Sequence, residues 1–120
     1  MKRHSTGALG ERLAQDFLKK KGFRILETNY RCREGEIDIV ARQKDCLVFV
    51  EVRTKSNLQF GSPEESISSA KMKHLKQAAT YYCQDRNGLL GSWRIDVVAV
   101  ELDSNNKLRR IELIENAVEE

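Results

Sequence analysis

Apolar positions recur along this chain with two different periods, and the switches between them mark its elements. Over residues 5–21, Leu9, Leu13 and Phe17 return at every fourth position, and Ala14 with Leu18 widens the stripe. That spacing predicts an amphipathic helix. Ser5 or Thr6 can cap its start, Lys19, Lys20 and Lys21 suit the negative end of its dipole, and Gly22 suits the position just past its end. Glu11 stands two turns before Leu18 and so flanks the buried stripe. Gly7, Gly10 and Ala14 beside it leave room for another backbone or a ligand to come close.

Period two takes over next. Residues 23–30, 36–41 and 46–53 read as three successive strands separated by polar turns at 31–35 and 42–45. In the third, Val48, Val50 and Val52 point one way and Leu47, Phe49, Glu51 and Arg53 the other. Apolar residues on both faces predict a central strand covered on both sides. The run Gly61, Ser62, Pro63, Glu64, Glu65 is a helix-start signal, with a serine cap, proline at the first position and glutamate at the third. Ser66, Ser68 and Ser69 interrupt the helical pattern beyond it, which suggests two pieces. Residues 69–85 are helical in period, with Met72, Leu75, Ala79 and Tyr82 on one face and Lys73, Gln77 and Tyr81 on a polar one. A loop is expected from Asn87-Gly88 to Gly91. Strands are expected at 93–102 and 108–114, with an acidic, frayed tail at 115–120. The order is α-β-β-β-α-β-β: an α/β fold in one domain spanning residues 1–120, a mixed sheet flanked by helices.

The length of 120 residues supports one core and not two. No apolar run approaches a membrane span, and the basic start, Met1 to Ser5, has no apolar segment after it, so neither a membrane partner nor a secretory signal is expected. Cys32, Cys46 and Cys83 are odd in number and form no CxxC pair, and His4 and His74 add no zinc-ligand spacing. Free thiols in a reducing compartment follow, hence a cytoplasmic protein. A net charge of +3 is only mildly basic. Its placement says more: Lys2-Arg3, Lys19 to Lys21, Arg31 and Arg33, Arg53 and Lys55, Lys71, Lys73 and Lys76, and Arg109-Arg110 form clusters, several of which could be solvated helix faces.

Chemistry enters with two acids in apolar strands. Glu36 and Asp38 share one face of the second strand, and Glu51 and Arg53 share one face of the third. A carboxylate in such a setting is costly unless compensated. With an even number of residues in the connecting hairpin, Asp38 falls opposite or diagonal to Glu51, within reach of a shared ion; with an odd number the two lie on opposite faces. Magnesium takes oxygen ligands and keeps several waters. Two carboxylates plus a carbonyl such as that of Val52 would leave positions for water and a phosphate oxygen. Arg53 is suited to clamping phosphate and unsuited to accepting a proton. The plainer alternatives remain. Asp38 and Glu51 could pair with Arg31, Arg33 or Arg53 as structural ion pairs, Glu11 could serve Arg12 or Gln15, and Arg94 with Asp96 reads as structural. Trp93, Tyr81 and Tyr82 read as packing residues, and His74 as a surface one.

Asp38, followed after twelve residues by Glu51-Val52-Arg53, resembles the D…(D/E)xK signature of the PD-(D/E)xK nuclease superfamily, which includes type II restriction enzymes and archaeal Holliday-junction resolvases. More specifically, Gly7-x-x-Gly10-Glu11, Asn29-Tyr30-Arg31, Gly35-Glu36-Ile37-Asp38, Phe49-Val50-Glu51-Val52-Arg53 and Arg94-Ile95-Asp96-Val97-Val98 resemble, in order and over most of the chain, the YraN-like family of uncharacterised bacterial proteins. The resemblance implies a restriction-endonuclease or resolvase-like fold, with Asp38 and Glu51 as metal ligands and Glu11 as a further acid at the site. By analogy with helix residues of related nucleases, it implies phosphate or water contacts from Lys73 or Gln77. Two positions depart from the signature: Ile37 stands for proline, and Arg53 stands for lysine, with Lys55 and Lys73 as substitute ammonium groups.

The expectation is a magnesium- or manganese-dependent endonuclease acting on DNA, at branched structures, as a homodimer. Asp38, Glu51 and Glu11 would hold the metal and Arg53 the scissile phosphate, with Arg31, Arg33, Lys55, Lys73 and Gln77 along the backbone. Competing readings are a non-catalytic nucleic-acid-binding module of the same fold and a small interaction protein with structural acids.

Overall fold

A computed structural model of the chain describes residues 5–56, 61–86 and 91–117. The basic pair Lys2-Arg3, His4, the Asn87-Gly88 loop and the end of the acidic tail lie outside the described residues. The elements run α1 (Ser5–Lys20), β1 (Arg24–Cys32), β2 (Gly35–Gln43), β3 (Cys46–Lys55), α2 (Ser69–Asp85), β4 (Ser92–Leu102) and β5 (Leu108–Ile114). This is the expected order, as a mixed five-stranded sheet β1-β2-β3-β4-β5. β1, β2 and β3 form an antiparallel meander, β3 and β4 run parallel, and β5 returns antiparallel to β4. The parallel step needs a crossover, and α2 supplies it.

Both faces of the sheet are buried. α1 packs Ala14 and Leu18 onto Ile39, Ala41, Val48, Val50, Val98 and Val100. α2 packs Leu75, Ala78, Ala79 and Tyr82 onto Val40, Leu47, Phe49 and Ile95. The predicted central strand is β3, hydrogen-bonded on both edges and covered on both faces. Phe49 anchors the α2 side, meeting Tyr82 and Trp93 edge-on at centroid distances of 5.4 and 5.6 Å. Among the described residues, no helix is long and apolar enough to cross a membrane.

Gly22 closes α1 as its position suggests: at φ +93° it lets the Phe23 amide reach back to the Leu18 carbonyl at 3.0 Å. The helix-start signal at 61–65 produces less than it announces. Glu65 does reach back to the Ser62 amide, at 2.9 Å, but only a single 3-10 turn forms, Glu64–Ser66, and Ile67 is extended. A second cap, Ser68 accepting from the Lys71 amide at 3.1 Å, then starts α2.

Candidate functional site

Gln43 pairs with Cys46, so the β2–β3 hairpin carries a two-residue loop, Lys44-Asp45. The loop is even, and the register sets Asp38 towards Glu51. The ladder itself ends at Ile39–Val50, although both strands continue. Alternation along β2 breaks at the same place. Ile37 joins Val40 in the α2-side core, while Ile39 and Ala41 belong to the α1 side. Across from this break on β1, Asn29 takes a left-handed φ of +55° between the pairs Thr28–Ile39 and Tyr30–Ile37. Asp38 occupies the gap: its Oδ2 accepts the Val52 amide at 2.8 Å, so a carboxylate takes the place of a strand carbonyl.

Beyond the end of the ladder lies a cavity of about 390 Å³, bordered by Gly7 and Glu11 of α1, Asp38 of β2, Glu51 and Arg53 of β3, and Lys71 of α2. α1 can pass this close because residue 10 is glycine; a Cβ there would overlap the Thr54 side chain. Glu51 is 2% exposed. Its Oε2 receives Arg53 Nη1 at 3.1 Å and faces Lys71 Nζ at 3.8 Å. Its Oε1 is buried with no hydrogen-bond partner. Arg53 is tied at its other end, Nε donating to Ser66 Oγ at 2.9 Å, and Ser66 in turn donates to the Pro63 carbonyl. The 3-10 turn that carries Ser66 is itself moored by Arg110, which donates to Glu64 at 2.9 Å and to Glu101 at 2.7 Å, and also pairs with Glu112.

Burial drives the electrostatics. Desolvation, followed by the negative charge of Asp38, pushes the Glu51 carboxyl up to about 7. Lys71 and Arg53 oppose that rise. Desolvation raises Asp38 as well, offset by its hydrogen bonds with the Val52 amide and the Glu51 side chain. The pair therefore holds a proton more readily than two separate acids would. Glu11 is also raised, by desolvation first and then by Asp38 and Glu36, with a hydrogen bond from Asn29 working against it.

Asp96 makes the useful contrast. It is 0% exposed, yet Arg94 Nε reaches both of its oxygens, at 2.9 and 3.1 Å, and the Asn116 amide donates to it at 2.8 Å. That acid is fully satisfied by the protein. Glu51 is not, and an orphaned carboxylate oxygen beside a second carboxylate is what a small hard cation would complete. Among the described residues no trio of His, Cys, Asp or Glu side chains is gathered as a ready-made metal cage. The donor set thus fits a cation that takes two protein carboxylates and fills its other positions with water and phosphate, as magnesium does.

The remaining expected residues are dispersed. Lys55 lines the cavity with Glu36, which also pairs with exposed Arg31 at 3.5 Å. Arg33 is exposed on the β1–β2 turn. Lys73 and Gln77 are exposed and do not border the cavity; Gln77 lines a separate open groove of about 430 Å³ with Glu34, Lys76 and Tyr81. That groove is the larger of the two but holds no carboxylate pair. Ser66 and Lys71 of the cavity wall escaped sequence reasoning as site members, as did Asn29, which hydrogen-bonds to Glu11. For Lys71 a signal was present, because it continues the buried stripe Leu75, Ala78, Tyr82 by one turn at i, i+4, i+7, i+11.

Comparison with known proteins finds relatives that match nearly the whole chain. The model of the uncharacterised protein family UPF0102 matches residues 10–100. A UPF0102 protein of Moorella thermoacetica is 48% identical over 118 residues, covering 98% of each chain. One from Caldicellulosiruptor saccharolyticus is 43% identical over 117 residues, covering 98% of this chain and 99% of its own. One from Dehalococcoides mccartyi is 45% identical over 118 residues, covering 98% and 96%.

Proposed function

The chain belongs to the UPF0102 family, and we propose that it is a divalent-metal-dependent endonuclease that hydrolyses DNA phosphodiester bonds, with branched DNA as its substrate. The observation that carries this reading is the Asp38–Glu51 pair: two raised carboxyls, one with a buried oxygen lacking a hydrogen-bond partner, in the wall of a polar cavity. The resemblance of Asp38 and Glu51-Val52-Arg53 to the nuclease signature supports it independently.

In the reaction, a water oxygen bonds to phosphorus, the bond from phosphorus to one ester oxygen breaks, and that oxygen leaves with a proton. When bound, magnesium or manganese supplies Lewis acidity, drawing charge off the phosphate and making water more acidic. Asp38 and Glu51 would hold the ion, with Glu11 as a further acid on the α1 side of the cavity. The Val52 amide fixes the Asp38 carboxylate before any ligand arrives. Arg53 orients Glu51 and turns its remaining N–H groups to the phosphate. Lys55, Arg31 and Arg33 engage the DNA backbone, which gives salt-sensitive, largely sequence-independent affinity.

A second reading has its own observation. Arg53 stands where the signature has lysine, with its guanidinium occupied by Glu51 and Ser66. A non-catalytic nucleic-acid-binding module of the same fold would tolerate that arrangement. Incubating the protein with a four-way DNA junction and with linear duplex, each with magnesium, manganese or EDTA, separates the two. Metal-dependent cleavage lost in Asp38→Ala and Glu51→Ala supports the enzyme. Junction binding without cleavage in every metal supports the module. Neither binding nor cleavage rejects both.

A further inference from the structure

We infer that Lys71 supplies this site's ammonium, contacting a non-bridging oxygen of the scissile phosphate; this deepens the nuclease reading and rests on it. Lys71 occupies the first turn of α2, where the helix dipole disfavours a cation. It also lies on the helix's inward stripe, one turn before buried Leu75. A lysine set against both local preferences is held there by what it faces. Its Nζ is 3.8 Å from Glu51 Oε2, at the outer limit of an ion pair, and its side chain is 31% exposed at the cavity wall.

Its backbone is fixed, because its amide donates to the Ser68 cap at 3.1 Å, so a flexible stem projects from a rigid base. Arg53 is the opposite case, a guanidinium tied at two points. A phosphate entering the cavity competes with Glu51 for the Lys71 ammonium far more easily than it displaces Arg53. The positively polarised start of α2 adds to the attraction. Lys71 acts here through its positive charge on the phosphate.

The test combines single-turnover cleavage of a four-way junction in manganese with junction binding in calcium across a range of salt concentrations. Wild type, Lys71→Met, Lys71→Arg and Asp38→Ala are compared. Lys71→Met is expected to lower the cleavage rate by about 100-fold or more. It should also flatten the slope of log affinity against log salt by about one, an effect that a merely structural ion pair would not produce. Lys71→Arg is expected to restore the slope. If Lys71→Met cuts at the wild-type rate with an unchanged slope while Asp38→Ala is inactive, the Lys71 role is overturned and the nuclease reading stands. If wild type neither cuts nor binds, both are overturned. If wild type binds without cutting, there is no scissile phosphate and the inference is overturned with the nuclease reading.

Discussion

Replacing Glu51 by glutamine should stabilise the metal-free protein in alkali while leaving it almost unchanged in acid. Glu51 ionises at its ordinary 4.5 in the unfolded chain but near 7 in the fold. Below 4.5 both states carry the proton and there is no penalty. Between 4.5 and 7 the unfolded chain has lost its proton and the folded chain has not, so stability falls as pH rises. Above 7 the full cost applies, about 3 kcal/mol for a carboxyl raised this far. Glutamine is isosteric with the protonated acid, can still donate to Asp38, and has no charge to bury. The ion pairs with Arg53 and Lys71 are already counted in that cost, because both hold the carboxyl below where burial alone would put it. At pH 8.5 in EDTA the variant should therefore be about 3 kcal/mol more stable, a midpoint roughly 12 °C higher for a domain of this size. At pH 5 the two should agree within about 1 kcal/mol. The assay is denaturant unfolding followed by circular dichroism at both pH values, repeated with magnesium, which should stabilise wild type alone. Parallel pH profiles, or a glutamine variant less stable at pH 8.5, would refute the claim that Glu51 is a strained, uncompensated acid.

Other consequences are as specific. Gly10→Ala should lower stability by about 1–3 kcal/mol in thermal unfolding, because its methyl overlaps Thr54. Gly7→Ala, three residues earlier with open space around it, should stabilise α1 by up to about 1 kcal/mol, and equal effects at the two positions would sink the close-approach argument. Asp96→Ala strands Arg94 and the Asn116 amide, and should cost about 3 kcal/mol or more by denaturant titration while leaving manganese affinity within a few-fold of wild type. Manganese affinity, measured by electron paramagnetic resonance, should rise steeply between pH 5.5 and 8 as the Asp38–Glu51 pair gives up its proton, and a flat profile would argue against those ligands.

Elements governed by their own periodicity were legible in the sequence. The stripe Leu75, Ala79, Tyr82 placed α2, and the two-sided apolar run of β3 identified the central strand. The register of the β2–β3 hairpin was legible only as a condition, because the polar stretch at 42–45 does not reveal how far the ladder extends; pairing of Gln43 with Cys46 resolves it. Features made by contacts between elements were beyond its reach. The break in alternation at Asp38 depends on Asn29 adopting a left-handed conformation on the neighbouring strand. The choice of Lys71 over Lys73, by contrast, was open to it, since Lys71 continues the buried stripe of α2. The 3-10 turn at 64–66 carried a helix-start signal, but its geometry follows from tethers to Arg110 and Arg53, residues distant in the chain. Arg110, which looked like part of a basic surface cluster, is occupied by carboxylates from Glu64 and Glu101.

The central claim is that Asp38 and Glu51 form a divalent-cation site. A crystal soaked in manganese at pH 8 and measured at a wavelength where manganese scatters anomalously tests it most directly. The account predicts an anomalous peak bridging Asp38 and the Oε1 atom of Glu51, absent from an Asp38→Ala crystal treated identically. A cavity open to solvent with no peak between the two carboxylates, or a peak that survives the substitution unchanged, would contradict it.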